Sequence, residues 1–267
     1  MDKIVAQGRI IFAIAVAAFG IENLICAHST HKFLPVIPWI PSYPWLAYLT
    51  GVAFLAAAVC IAARFHLRWT AVLLGVVFLA CDLLLQLPQV LAAPLDVGIR
   101  TTAFETLTMC SASLMLAASV PAKFTNLKRW DGVLNKFLAS GRYFFAISAI
   151  VFGIDHYIVF GLIVSLVPRW IPGGGWFWAN VTALAFVAAG VSIAFRWMDR
   201  LAATLLGVMF LLWFLVLHLP RVVSYPRSHD PDEWSSAFIA LAVCGASWIL
   251  AASLDENSGR EKLQKVK

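Results

Sequence analysis

The chain has 267 residues, of which 61% are hydrophobic and 13% charged, with a formal net charge of +6. A soluble domain carries about twice that share of charge, so a water-soluble globule is excluded and a membrane protein is expected. The positive charge sits in short joints between apolar stretches, as in cytoplasmic loops, which argues against a nucleic-acid-binding surface.

Apolar segments near the ~20 residues needed to cross a bilayer fall at 7–27, 45–63, 69–91 and 101–120. Four more follow at 141–160, 176–195, 201–223 and 234–253. In hydrocarbon a segment must satisfy its own backbone groups, so all eight are read as helices. The first is too long for the apolar region of a cleaved signal peptide, and it recurs internally. The second four segments repeat the first four. Residues 54–90 align on 186–222 without a gap, matching Arg64/Arg196, Arg68/Arg200, Gly75/Gly207, Phe78/Phe210 and Pro88/Pro220. Gly8-Arg9 and Phe19-Gly20-Ile21 return as Gly141-Arg142 and Phe152-Gly153-Ile154. Trp39-Ile40-Pro41 returns as Trp170-Ile171-Pro172, and Cys110 as Cys244.

The expected organisation is an all-α integral membrane protein of two parallel four-helix modules. Residues 1–120 form the first module and 141–254 the second. Residues 121–140 form an amphipathic linker on the cytoplasmic surface, and 255–267 a charged, disordered cytoplasmic tail. Placing both termini inside puts most of the 20 Lys and Arg residues on the cytoplasmic side. An even number of spans per module makes the repeats parallel. In the linker, Phe124, Leu127, Trp130, Leu134, Phe137 and Leu138 recur at helical spacing, which predicts a helix lying on the inner leaflet. The outer loops 28–44 and 161–175 are rich in Pro and Trp and are expected to fold over the outer surface, as a lid or an anchor. The five cysteines all lie in apolar spans without a C-x-x-C pair, and are read as small buried hydrophobes.

Ionisable side chains within membrane helices are costly and are functional candidates. Glu22-Asn23 in the first copy corresponds to Asp155-His156 in the second. Gln86 and Gln89 correspond to His218 and Arg221, both pairs spaced to share one helix face. Pro88 and Pro220 remove a backbone donor and are expected to kink the third span, freeing the carbonyls of Leu84 and Val216. Glu105 and the deeper Asp82 belong to the first copy alone. All except Asp82 fall in the outer half of the bilayer, which predicts an outward-facing polar pocket. Asp155, His156, His218 and Arg221 are its richest expected grouping. Imidazole carries protons near neutral pH and Arg holds anions or carbonyls, so the set suits a quinone headgroup or a proton-coupled carrier. The same groups also serve as interhelical hydrogen bonds that fix packing. A metal site is not expected, because adjacent residues 155 and 156 point about 100° apart on a helix. No haem, flavin, nucleotide or zinc motif is visible, so the chain is not expected to be a self-sufficient enzyme.

The motifs Phe152-Gly153-Ile154-Asp155-His156, Val167-Pro168-Arg169-Trp170-Ile171-Pro172 and His218-Leu219-Pro220-Arg221-Val222 resemble those of the DoxX-like family of bacterial membrane proteins. The likeness covers nearly all of 141–253, and more loosely 8–120. It implies a four-helix module in the bacterial inner membrane and an association with quinone-linked redox chemistry. The first copy departs from the pattern, with Asn23 for His156, Gln86 for His218 and Gln89 for Arg221, so the second copy is expected to hold any site. Three functions remain open: a quinone-binding redox-accessory component with membrane or redox partner proteins, a small-solute or proton-coupled transporter, and a structural or assembly protein. The lipid bilayer is the one partner common to all three.

Overall fold

A computed structural model describes residues 3–25, 44–120, 128–224 and 231–265. The regular structure among them is all helical. Helices α1 (Lys3–Ile25) and α2 (Pro44–Ala63) are followed by α3 (Leu67–Cys81), a π turn at Asp82–Gln86 and α4 (Leu87–Ala92). Next come α5 (Val97–Ala118), α6 (Lys128–Ile158), α7 (Phe160–Leu166) and α8 (Gly174–Phe195). The chain ends with α9 (Asp199–Trp213), a second π turn at Phe214–His218, α10 (Leu219–Ser224) and α11 (Pro231–Lys265).

Seven helical stretches among the described residues are long and apolar enough to cross a membrane. Large apolar side chains such as Leu73, Leu84, Leu205 and Leu212 stand more than half exposed, as lipid-facing surfaces require. Helix α5 has 22 residues but is more polar than those seven, carrying Arg100, Glu105 and four threonines. Its polarity is tolerable because it is enclosed by α3, α6 and α11. Several of its hydroxyls also bond within the helix, Thr102, Thr106 and Thr108 each donating to the carbonyl four residues back at 2.8–3.0 Å.

The packing is interleaved. Helix α1 packs on α2 and on α11, while α6 packs on α8 and on α5. Helix α3 lies on α5 and α9 on α11, and α5 meets α11 at the centre. Exchanging α1 with α6, α2 with α8, α3 with α9 and α5 with α11 leaves this pattern unchanged. Each sequence half is therefore not a separate bundle, since its first helix rests on the last helix of the other half. Small residues make these approaches possible. A Cβ placed on Gly245 would lie 2.7 Å from the Phe12 nitrogen and 2.9 Å from the Gly8 carbonyl oxygen. On the other side, Ser111 Oγ donates to the Gly141 carbonyl at 2.6 Å.

The Gly-Arg pairs have a local purpose. Arg9 donates to the carbonyls of Ile61 and Ala62, both at 2.5 Å. Arg142 donates to the Ile193 carbonyl and, at 3.3 Å, to Asp199. Each guanidinium thus caps the C-terminal end of the adjacent helix, where unpaired carbonyls favour a cation. Arg64 and Arg196 end those helices in the left-handed conformation, both with φ 59°. Glycine is the usual residue there, so the basic side chain is retained at a conformational cost.

Three expectations change. The third spans do not simply kink before Pro88 and Pro220. Each widens into a π turn, in which Leu87 N–H reaches back five residues to Asp82 O, and Leu219 N–H to Phe214 O. The linker is not a separate surface helix over 128–140, because α6 runs unbroken from Lys128 to Ile158. Its apolar residues Leu134, Phe137 and Leu138 pack on the protein core. The tail is not irregular, since α11 continues to Lys265. The first outer loop, the linker residues 121–127 and Cys26 lie outside the described residues.

Gly245→Ala should therefore lower stability by about 1–3 kcal/mol, the cost of overpacking a tight contact. Gly132→Ala, where a Cβ meets nothing within 4 Å, should be neutral or gain about 0.5–1 kcal/mol. Unfolding of both variants in detergent checks the pair.

Candidate functional site

The polar candidates divide into locks between helices and a cavity. Asp155 belongs to the first group. It is 3% exposed and accepts from Arg100 through Nε at 2.8 Å and through Nη2. Thr101 Oγ1 donates to its other oxygen at 3.4 Å. This joins α6 to the start of α5, across the two sequence halves. Glu22, at the corresponding position of α1, accepts from Ser235 Oγ of α11. Ser235 stands where Thr101 does, each nine residues before its matched cysteine. Arg221 is taken by Glu233 of α11. The expected grouping of Asp155 and Arg221 with the two histidines is thus corrected, because each has an ion-pair partner on another helix.

The two histidines do converge. His156 and His218 line one cavity of about 210 Å³, roofed by α7 and the segment after it. Asp155 and Arg221 are not among its lining residues. The divergence of residues 155 and 156 is the ~100° step between neighbours on a helix. His156 Nδ1 lies 2.8 Å from the Phe152 carbonyl, and its ring meets the Phe186 ring edge-on at 5.0 Å. Since a carbonyl can only accept, Nδ1 carries the proton, and in the neutral ring Nε2 is left as an acceptor. His218 sits in the second π turn, with Nδ1 buried and without a hydrogen-bond partner. Such turns recur at functional sites. Thr182 of α8 lines the same cavity, its hydroxyl donating to the carbonyls of Trp178 and Ala179 at 2.9 and 3.1 Å.

Thr182 and the wall residue Trp213 also border a second cavity of about 210 Å³, wholly apolar and flanked by Trp170, Trp178 and Leu212. Trp170 and Leu212 are mostly exposed. From the segment 161–175, Leu166 and Val167 line the histidine cavity and Trp170 and Ile171 the apolar one.

No family model, curated protein or solved structure matches this chain. The site must therefore be read from its own chemistry. Among the described residues, no group of three or more His, Cys, Asp or Glu side chains could hold a metal ion.

The first half is arranged differently at the matching positions. Asn23 Nδ2 donates to Thr50 Oγ1 at 3.4 Å, and Thr50 bonds back to Leu46 and Ala47 as Thr182 does to its own helix. Gln86 is buried, with Nε2 unpartnered. Gln89 donates at 2.8 Å to the Leu85 carbonyl, one residue on from the acceptor expected to be freed by Pro88. Asp82 is buried in the first π turn with Oδ1 unpartnered, and Glu105 is half-buried on α5. Sequence reasoning missed Thr182, Arg100, Ser235 and Glu233. Thr182 was visible in principle, since Thr50 matches it four residues before the ungapped alignment begins. Ser235 was visible in the same way, as the match of Thr101, while Arg100 and Glu233 carry no such signal, because only packing shows what they face.

Removing one partner of the Arg100–Asp155 pair leaves a buried charge alone. Arg100→Met should cost roughly 3–5 kcal/mol, and Arg100→Met combined with Asp155→Leu clearly less. A double-mutant cycle on unfolding in detergent checks this.

Proposed function

We propose that this chain is a multi-pass membrane component that binds a quinone-class lipid, with the ring between His156 and His218 and the prenyl tail in the tryptophan-lined cavity. The convergence of the two imidazoles on one cavity carries the reading. Either cavity alone falls below the roughly 300–1,000 Å³ of small-molecule sites, while the two together fall within it. Two histidines and a threonine in an otherwise apolar cavity, beside a second, apolar cavity that shares Thr182 and Trp213 with it, fit an amphipathic ligand. The exposed Leu212 and Trp170 at the apolar end offer a route from the bilayer.

The role fits a redox-accessory subunit working with membrane or redox partner proteins. The DoxX-like resemblance of the second half points the same way and suits a bacterial inner membrane. The recurrence of the π turns, the left-handed arginine caps and the arginine-to-carbonyl bonds in both halves supports a tandem duplication of one four-helix unit. On this reading α5 is the eighth span, carried through the bilayer by its enclosure, and both termini are cytoplasmic.

Two measurements test these points. A ubiquinone with one isoprene unit, added to the protein in detergent, should quench the fluorescence of the cavity tryptophans saturably. His218→Ala, which removes the ring N–H that can donate to a quinone carbonyl, should weaken binding about tenfold, or about 1.4 kcal/mol. Absence of saturable binding by the intact protein would remove the quinone reading. A reporter fused after Lys267 should be active only in the compartment that holds the N terminus. Opposite placement of the two ends would mean an odd number of spans.

A further inference from the structure

We infer that the His156 cavity selects the reduced, diol form of its ligand over the oxidised diketone. The inference rests on the quinone-class reading above and adds the redox form.

Three polar groups line the cavity, and two are fixed as acceptors. His156 has its Nδ1 proton committed to the Phe152 carbonyl at 2.8 Å, which leaves the Nε2 lone pair of the neutral ring. Thr182 has its hydroxyl proton committed to the Trp178 or Ala179 carbonyl, which leaves its oxygen lone pairs. Only His218, whose buried Nδ1 has no partner, can serve as either donor or acceptor by choice of tautomer.

The other half of the molecule shows what this arrangement lacks. There the residue at the His156 position is Asn23, and its amide donates to Thr50 Oγ1. Donor and acceptor there satisfy each other. In the second half the amide is replaced by an imidazole that presents a lone pair. His156 Nε2 and Thr182 Oγ1 are then both acceptors and cannot bond to each other. A group placed between them must bring hydrogen to both or either.

A hydroquinone ring brings two O–H donors. One meets His156 Nε2, and the other meets Thr182 Oγ1 or an unprotonated nitrogen of His218. A quinone brings only carbonyl acceptors, so it gains one bond, from the His218 N–H, and leaves the other two lone pairs facing oxygen. A site built to pair with a hydroxyl discriminates strongly against an analogue that lacks it, because its buried polar groups are left unpaired.

The test compares durohydroquinone and duroquinone on the full chain in detergent, under anaerobic conditions. The diol is expected to bind at least tenfold more tightly. His156→Asn, which rebuilds the pairing of the first half, is expected to weaken diol binding at least tenfold with an unchanged unfolding temperature. Thr182→Val gives an independent check should the first variant fold poorly, and is expected to narrow the preference. Equal binding of the two forms, tighter binding of the diketone, or an unaltered preference in both variants overturns the inference and leaves the quinone-class reading standing. Binding of neither form overturns both.

Discussion

The close approach of α5 and α11 is the contact on which the rest of the molecule depends. From Thr108 to Ala117 and from Ala240 to Ser253 nearly every side chain is buried, and most are Ala, Ser, Cys or Gly. In lipid there is little hydrophobic drive between helices, so small residues that admit backbone contact take its place. Each of these two helices then seats the first helix of the opposite half, α6 on α5 and α1 on α11. Gly8 and Gly245 on one side, and Gly141 with Ser111 on the other, show the same device in different residues. The outer helices α2, α3, α8 and α9 are held by this inner row and present their leucines to lipid.

That arrangement sorts the polar residues. Where the first helix of one half meets the last helix of the other, carboxylates face partners: Asp155 meets Arg100 and Thr101, and Glu22 meets Ser235. These contacts couple the halves, and a buried pair is a device for specifying that register more than for adding stability. The next residue along each helix points about a quarter-turn away, towards the second helix of its own half. There Asn23 finds Thr50, and His156 enters a cavity with Thr182. One helical step therefore separates a contact between the halves from the lining of a cavity.

The two halves differ at this second position and share the frame around it. Proline at 88 and 220 forbids a regular turn, and in both halves the chain answers with a π turn that closes one residue later. The widened turn holds Gln86 in one half and His218 in the other. Neutral amides in the first half either pair internally or stay buried. Imidazoles in the second half line a cavity of about 210 Å³ instead.

The helical, membrane-embedded class of this chain was decided by its sequence, because apolar length and backbone hydrogen bonding leave hydrocarbon few alternatives. Seven of the eight expected spans were legible for the same reason, most of them to within a few residues. The histidine pair was legible too, since His156 stands at the position of Asn23 and His218, two residues before Pro220, at that of Gln86. Tertiary structure alone decided which helix faces which. It exchanged the neighbours of the two halves, withdrew Asp155 and Arg221 into pairs with Arg100 and Glu233, and brought Thr182 to the histidines. It also turned the apolar stripe of 134–138 inwards. Helical periodicity tells which residues share a face, but it carries no information about which other helix covers that face.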